Sequence, residues 1–141
     1  MKQVLLLEEN PLFREGLALL LEWSLGLEAL QAGSVEEARG ALAAPRDRFE
    51  LAIVNVDSRD GDPLGLIEEI RGVDPDVPVL ALTASRSLEG RAPALRAGAN
   101  DVFLFYLRAP IEELVESVRW LVGATQTPTA PVIRSLLRYH A

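Results

Sequence analysis

The chain contains no cysteine, and histidine occurs once, at His140, next to the last of its 141 residues. The first absence removes thiol nucleophiles, Cys-ligated zinc and disulfide scaffolds, and it fits a reducing cytoplasm, the expected location. The second leaves any Ser/His/Asp triad, multi-histidine metal site or phosphohistidine relay hanging on a terminal side chain, a place where order is seldom kept. Long apolar runs are missing too. The stretch at residues 17–21 falls far short of the roughly 18 residues that a membrane helix requires. The start, MKQVLLLEEN, has a four-residue apolar run before two carboxylates, so neither a signal peptide nor a membrane association is expected. Positive charge is scarce as well. With 14 Lys+Arg against 21 Asp+Glu the net charge is −7, which disfavours phosphate backbones, and no direct nucleic-acid binding by this chain is expected.

What is present is the profile of one soluble globular domain, 49% hydrophobic and 25% charged. A chain of this length buries roughly two-thirds of its unfolded surface without help from metal or disulfide. Short, wholly apolar runs alternate with longer segments of helical period, the pattern of a parallel sheet covered on both faces. Strands are predicted at residues 4–7, 27–31, 51–56, 77–82 and 102–107, with helices starting near Pro11, Val35, Pro63, Leu88 or Ala92, and Ile111. Asn10 before Pro11 is an N-cap with proline at the first helical position, where its missing N–H costs nothing. Ser34 and Glu37 have the spacing of a capping box. Gly98 ends the fourth helix, and Pro93 should shorten that helix or start it late. Residues 1–122 form the domain. Residues 123–141, from a polar, proline-containing linker to PVIRSLLRYHA, form a tail with an extra C-terminal helix.

The implied fold class is α/β, a doubly wound five-stranded parallel sheet of order 2-1-3-4-5. In such sheets ligands gather beyond the carboxyl ends of the strands, beside the switch point between the first and third. Glu8 and Glu9 follow the first strand, Asn55 and Asp57 the third, and Thr83 and Ala84 the fourth. Two carboxylates with a third oxygen ligand suit a hard cation such as Mg²⁺; a solvated loop edge is the alternative reading of the same pair.

The segments QVLLLEENPLFREGLALLL, FELAIVNVDSRDGDPLGLIEEIR, VPVLALTA and ALRAGANDVFLF, in that order, resemble the receiver domain of bacterial two-component response regulators. The resemblance implies the same flavodoxin-like sheet. It also implies phosphoryl transfer to an aspartate ending the third strand, with Mg²⁺ on an acidic pair after the first. Carried over by position, Glu8 and Glu9 match the acidic pair, Asn55 falls on the phosphoacceptor, and the Asp57 main-chain carbonyl matches the third metal ligand. Thr83 matches the hydroxyl that turns toward the phosphoryl group.

The departures define the expected function. A carboxamide is neutral and its nitrogen lone pair is delocalised, so Asn55 should not accept a phosphoryl group as an aspartate does. The family's lysine falls on Phe105, with Arg108 the nearest basic candidate. Loss of both charges together is coherent, because either one alone would sit uncompensated in a partly desolvated pocket. The metal set Glu8, Glu9, Asn55 and Asp57 should bind Mg²⁺ weakly or not at all, and Arg59, Arg86 or Arg108 could balance the carboxylates instead. Asp57 as a substitute acceptor lies about 6–7 Å further along, with its side chain directed into DSRDGD, and an Asx-type turn is the competing reading of the same residue. In that loop Arg59 stands where the family usually has proline, and Pro63 where it has glycine. The family's switch, reported by Thr83 and an aromatic on the fifth strand, has Val102 in the aromatic's place and Phe103 beside it.

The sequence therefore predicts a non-enzymatic, atypical receiver that signals by association with a protein partner. A homodimer through the fourth helix, fifth strand and fifth helix is the expected assembly, with Ile111, Leu114 and Val118 supplying apolar surface and core packing as the competing use of these residues. Two alternatives stand beside it. One is the receiver part of a DNA-binding regulator lacking its helix-turn-helix domain; the other is a dehalogenase-like phosphatase, for which NVDSR at residues 55–59 has the spacing but not the nucleophile.

Overall fold

The computed structural model describes residues 2–44, 48–84, 88–104 and 111–123. Five strands, β1 (Gln3–Leu7), β2 (Glu28–Ala32), β3 (Leu51–Asn55), β4 (Val79–Thr83) and β5 (Asp101–Leu104), alternate with five helices. These are α1 (Pro11–Leu25), α2 (Val35–Ala43), α3 (Pro63–Val73), α4 (Leu88–Ala97) and α5 (Ile111–Gly123). All strand pairs are parallel, in the order β2-β1-β3-β4-β5.

The strands read as continuous apolar runs because both faces of the sheet are covered. Side chains of alternating parity divide the core in two. Leu5, Leu7, Ala52, Val54, Val79, Ala81 and Val102 pack with Leu66, Ile67 and Ile70 of α3 and with residues of α2 and α4. On the other face, Val4, Leu6, Leu51, Ile53, Leu80, Leu82 and Phe103 meet Leu17 and Leu21 of α1 and Leu114, Val118 and Leu121 of α5. Each fully buried Leu or Ile contributes about 1.5–3 kcal/mol.

The helix starts follow their capping residues. Asn10 Oδ1 accepts from the N–H groups of Leu12 and Phe13 at 3.0 and 3.1 Å. Ser34 Oγ accepts from Glu37 N at 3.1 Å. The capping box differs from expectation in its return bond: Glu37 Oε2 takes the N–H of Gly33, at 2.8 Å, one residue before the cap. Asp62, not anticipated from the sequence, caps α3 through a bond from Gly65 N at 3.0 Å.

One strand start differs clearly: β4 begins at Val79, two residues later than predicted. Of the two predicted starts α4 takes Leu88, and it carries Pro93 in its interior instead of being shortened by it, where the ring removes one backbone donor from the ladder. The predicted fifth-strand residues 105–107 and the tail 124–141 lie outside the described residues. Among the described residues no helix is long and apolar enough to cross a membrane.

Candidate functional site

The register of the sheet brings the ends of β1, β3 and β4 side by side, with Leu7 opposite Val54 and Asn55 opposite Leu82. Residues just past these ends share one edge of the domain.

Glu8 leaves β1 with its backbone held twice. Its N–H donates to Ala32 O at 3.1 Å, and its carbonyl accepts from Arg14 Nη1 at 2.8 Å. The residue is 5% exposed, so its carboxylate needs donors. Oε1 accepts from Asn55 Nδ2 at 2.8 Å and Oε2 from Asn10 N at 3.2 Å. Asn55 completes the link on its other side, its Oδ1 accepting from Asp57 N at 2.8 Å. These two bonds select one orientation of the amide, since reversing it would set oxygen against carboxylate and NH₂ against N–H.

Glu9 is exposed, and its Oε2 accepts from the backbone N–H of Arg59 at 3.2 Å. Asp57 reaches across to β4: Oδ1 accepts from Thr83 Oγ1 at 2.9 Å and Oδ2 from Ala84 N at 2.7 Å. This corrects the expectation that its side chain enters the DSRDGD loop, and the Asx-type bond of this turn belongs to Asn55 instead. The loop itself is pinned at Gly61, whose φ of 97° and whose approach to Val35, 2.8 Å from an added Cβ, both exclude a side chain.

Glu8, Glu9, Asn55, Asp57 and Thr83 are thus brought together as the sequence predicted, but each acid is satisfied separately by neutral donors. Charge-assisted bonds of this kind are about twice as strong as neutral ones. No three acidic, His or Cys groups among the described residues are placed to hold a metal. Mg²⁺ demands near-octahedral oxygen donors at about 2.0–2.1 Å, whereas Glu8 Oε1 faces an NH₂ group. The residues as arranged do not fit a resident divalent cation.

Val102 and Phe103 are both buried on β5, facing opposite layers. Leu114 and Val118 are buried as well, while Ile111 is 43% exposed. Phe105, Arg86 and Arg108 lie outside the described residues.

Arg14 was not singled out by sequence reasoning. Besides Glu8 O, it donates through Nε to Gln31 Oε1 at 3.3 Å, tying α1 to the ends of β1 and β2. A signal existed: a cation near a helix N-terminus opposes the helix dipole, so it calls for a specific partner.

The model of the response regulator receiver domain matches residues 4–118. The response regulator protein PilR of Pseudomonas aeruginosa is 35% identical over 114 residues, 79% of this chain and 23% of that protein. The virulence transcriptional regulatory protein PhoP of Salmonella typhimurium is 33% identical over 136 residues, 94% of this chain and 57% of its own length. The chain therefore spans from just under a quarter to just over half of these relatives. A solved response regulator from Burkholderia pseudomallei, described with a phosphorylated aspartic acid, calcium ion and citrate, superposes with a TM-score of 0.76 at 25% identity, covering 100% of this chain and 76% of that one. A parallel sheet in this strand order, an acidic end to β1 and a hydroxyl ending β4 agree with that match, and the chain belongs to the response regulator receiver domain family.

Proposed function

We propose that this chain is an atypical receiver that signals through protein association and takes no phosphoryl group at the end of β3. The observation that carries the reading is Asn55, whose carboxamide ends that strand and is engaged on both sides, by Glu8 and by the Asp57 N–H. An aspartate there would present an anionic oxygen as nucleophile; the amide presents none. Its NH₂ also neutralises the demand of the buried Glu8 carboxylate for a donor, a role that a cation would serve beside two acids.

Signalling then rests on conformations that a partner binds unequally, since only differential affinity shifts such an equilibrium. The proposed contact surface is the face of α4, β5 and α5, where β5 is an edge strand and Ile111 is exposed. A second copy of the chain is the occupant to test first, and the chain itself performs no catalysis. The phosphatase alternative gives way to the family assignment.

The test is treatment of the full chain with acetyl phosphate and Mg²⁺, followed by intact mass. The expected spectrum is unchanged, and a stoichiometric, acid-labile gain of one phosphoryl group overturns the reading. A second reading, the receiver part of a transcriptional regulator, is favoured by the chain's coverage of 57% of PhoP. A reading frame that continues past Ala141 into a helix-turn-helix segment would support it.

A further inference from the structure

We infer that the Asp57 carboxylate is a resident anion of this site, clamping the β3–α3 loop to the end of β4 without covalent modification. The inference rests on the phosphorylation-independent reading and deepens it by naming what sets the state of the site.

Three observations support it. First, the contact is bidentate: one oxygen takes the Thr83 hydroxyl at 2.9 Å and the other the Ala84 N–H at 2.7 Å. Two separate donors from consecutive residues fix the carboxylate in orientation as well as position. Second, Thr83 is 2% exposed while Asp57 is exposed. The hydroxyl donates to an acceptor that arrives from outside its own strand, 26 residues earlier in the chain. Third, the Asp57 backbone is itself held, because its N–H donates to Asn55 Oδ1 and Ser58 N reaches Asn55 O at 3.4 Å. The carboxylate is thus presented from a braced turn.

The physical consequence follows from tethering. An oxyanion from solution seeking the same two donors must displace a carboxylate whose effective concentration is set by a short, braced connection. Ala84 lies at the start of the connection from β4 to α4, which begins at Leu88. Whatever holds Ala84 therefore restrains the chain where it leaves β4. An alanine at position 57 would remove the acceptor of the Ala84 N–H and release the end of β4 from the β3–α3 loop.

The test uses Asp57→Ala and Asp57→Asn in the full chain, with amide hydrogen exchange followed by NMR. Losing a charge-assisted acceptor should speed exchange at Ala84 by at least about tenfold in Asp57→Ala. The asparagine variant keeps one acceptor oxygen and should fall between. Exchange across β1 and β3 should stay within about twofold of the parent, which separates loss of a clamp from general loosening. Unchanged exchange at Ala84 in Asp57→Ala overturns the inference, and so does equal acceleration throughout the sheet. The acetyl phosphate experiment separates the two ideas. A phosphoryl group on Asp57 overturns both; one found elsewhere in the site overturns only the phosphorylation-independent reading, with Ala84 exchange still deciding the clamp.

Discussion

At the residue scale the decisive exchange is a carboxylate oxygen for an amide nitrogen at position 55. Asn55 Nδ2 lies 2.8 Å from Glu8 Oε1, so an acid in its place would set two like charges at hydrogen-bonding distance beside a residue only 5% exposed. Asn55→Asp is expected to lower the unfolding free energy by about 1–3 kcal/mol in EDTA, the cost of unpaired like charges at partial burial. Millimolar Mg²⁺ should restore much of that loss by binding the folded state alone, while the parent chain should show little dependence on Mg²⁺. Urea unfolding with and without the ion checks both. Equal stability in EDTA and in Mg²⁺ for the variant would remove the argument that the amide stands in for a cation.

Among the elements, the junction of α3, β4 and α4 depends on one half-buried cation. The Arg71 guanidinium donates to the carbonyls of Gly98, Asp74, Pro75 and Val77 and to Asn100 Oδ1. Burial pushes its pKa below the ordinary arginine value, against the pull of Asp74 and Asp76. Asn100 Oδ1 accepts in turn from Val79 N at 2.8 Å, which fixes the first residue of β4. Arg71→Ala leaves several carbonyls without donors and is expected to cost about 2–4 kcal/mol, read as a lower urea midpoint at unchanged slope. This junction also explains a miss in the sequence reading. Val77 is apolar and buried, so periodicity extends β4 through it, yet its carbonyl serves Arg71 rather than a neighbouring strand. Apolar pattern reports burial, and hydrogen-bond partners decide where a strand begins. α1 shows the converse: Leu12 and Trp23 are apolar but 82% and 79% exposed, because a helix covering a sheet hides only one stripe.

For the molecule as a whole, an ion pair at the opposite end of the sheet joins the segment before β3 to the end of α3. Arg48 Nη2 meets Asp74 Oδ1 at 2.7 Å and Nε meets Oδ2 at 3.0 Å. Desolvation works to raise the Asp74 carboxyl, but the Arg48 bonds and the backbone N–H groups of Asp76 and Val77 outweigh it and hold the pKa below the usual value. A carboxyl depressed in the folded state contributes stability that is complete above its unfolded pKa of about 3.9 and vanishes as pH falls through the lower folded value. The unfolding midpoint should therefore decline below about pH 4, and Asp74→Asn should flatten that part of the acid limb. Urea midpoints measured across the range check it; an identical acid limb in the variant would assign the loss to other carboxylates.

Sequence alone determined the sheet order, the capped starts of α1 and α2, the acidic end of β1 and the amide ending β3. Apart from the sheet order, which follows from the alternation of strands and helices, these are local matters: period, cap chemistry and residue type act within a few neighbours. Only the tertiary structure decided how the acids are shared. Asp57 turns to Thr83 and Ala84 rather than into its own loop, and Glu8 spends its charge on Asn55 and Asn10. A side chain leaving a turn has several acceptable directions, and the donor it finds is set by which strand the fold lays beside it.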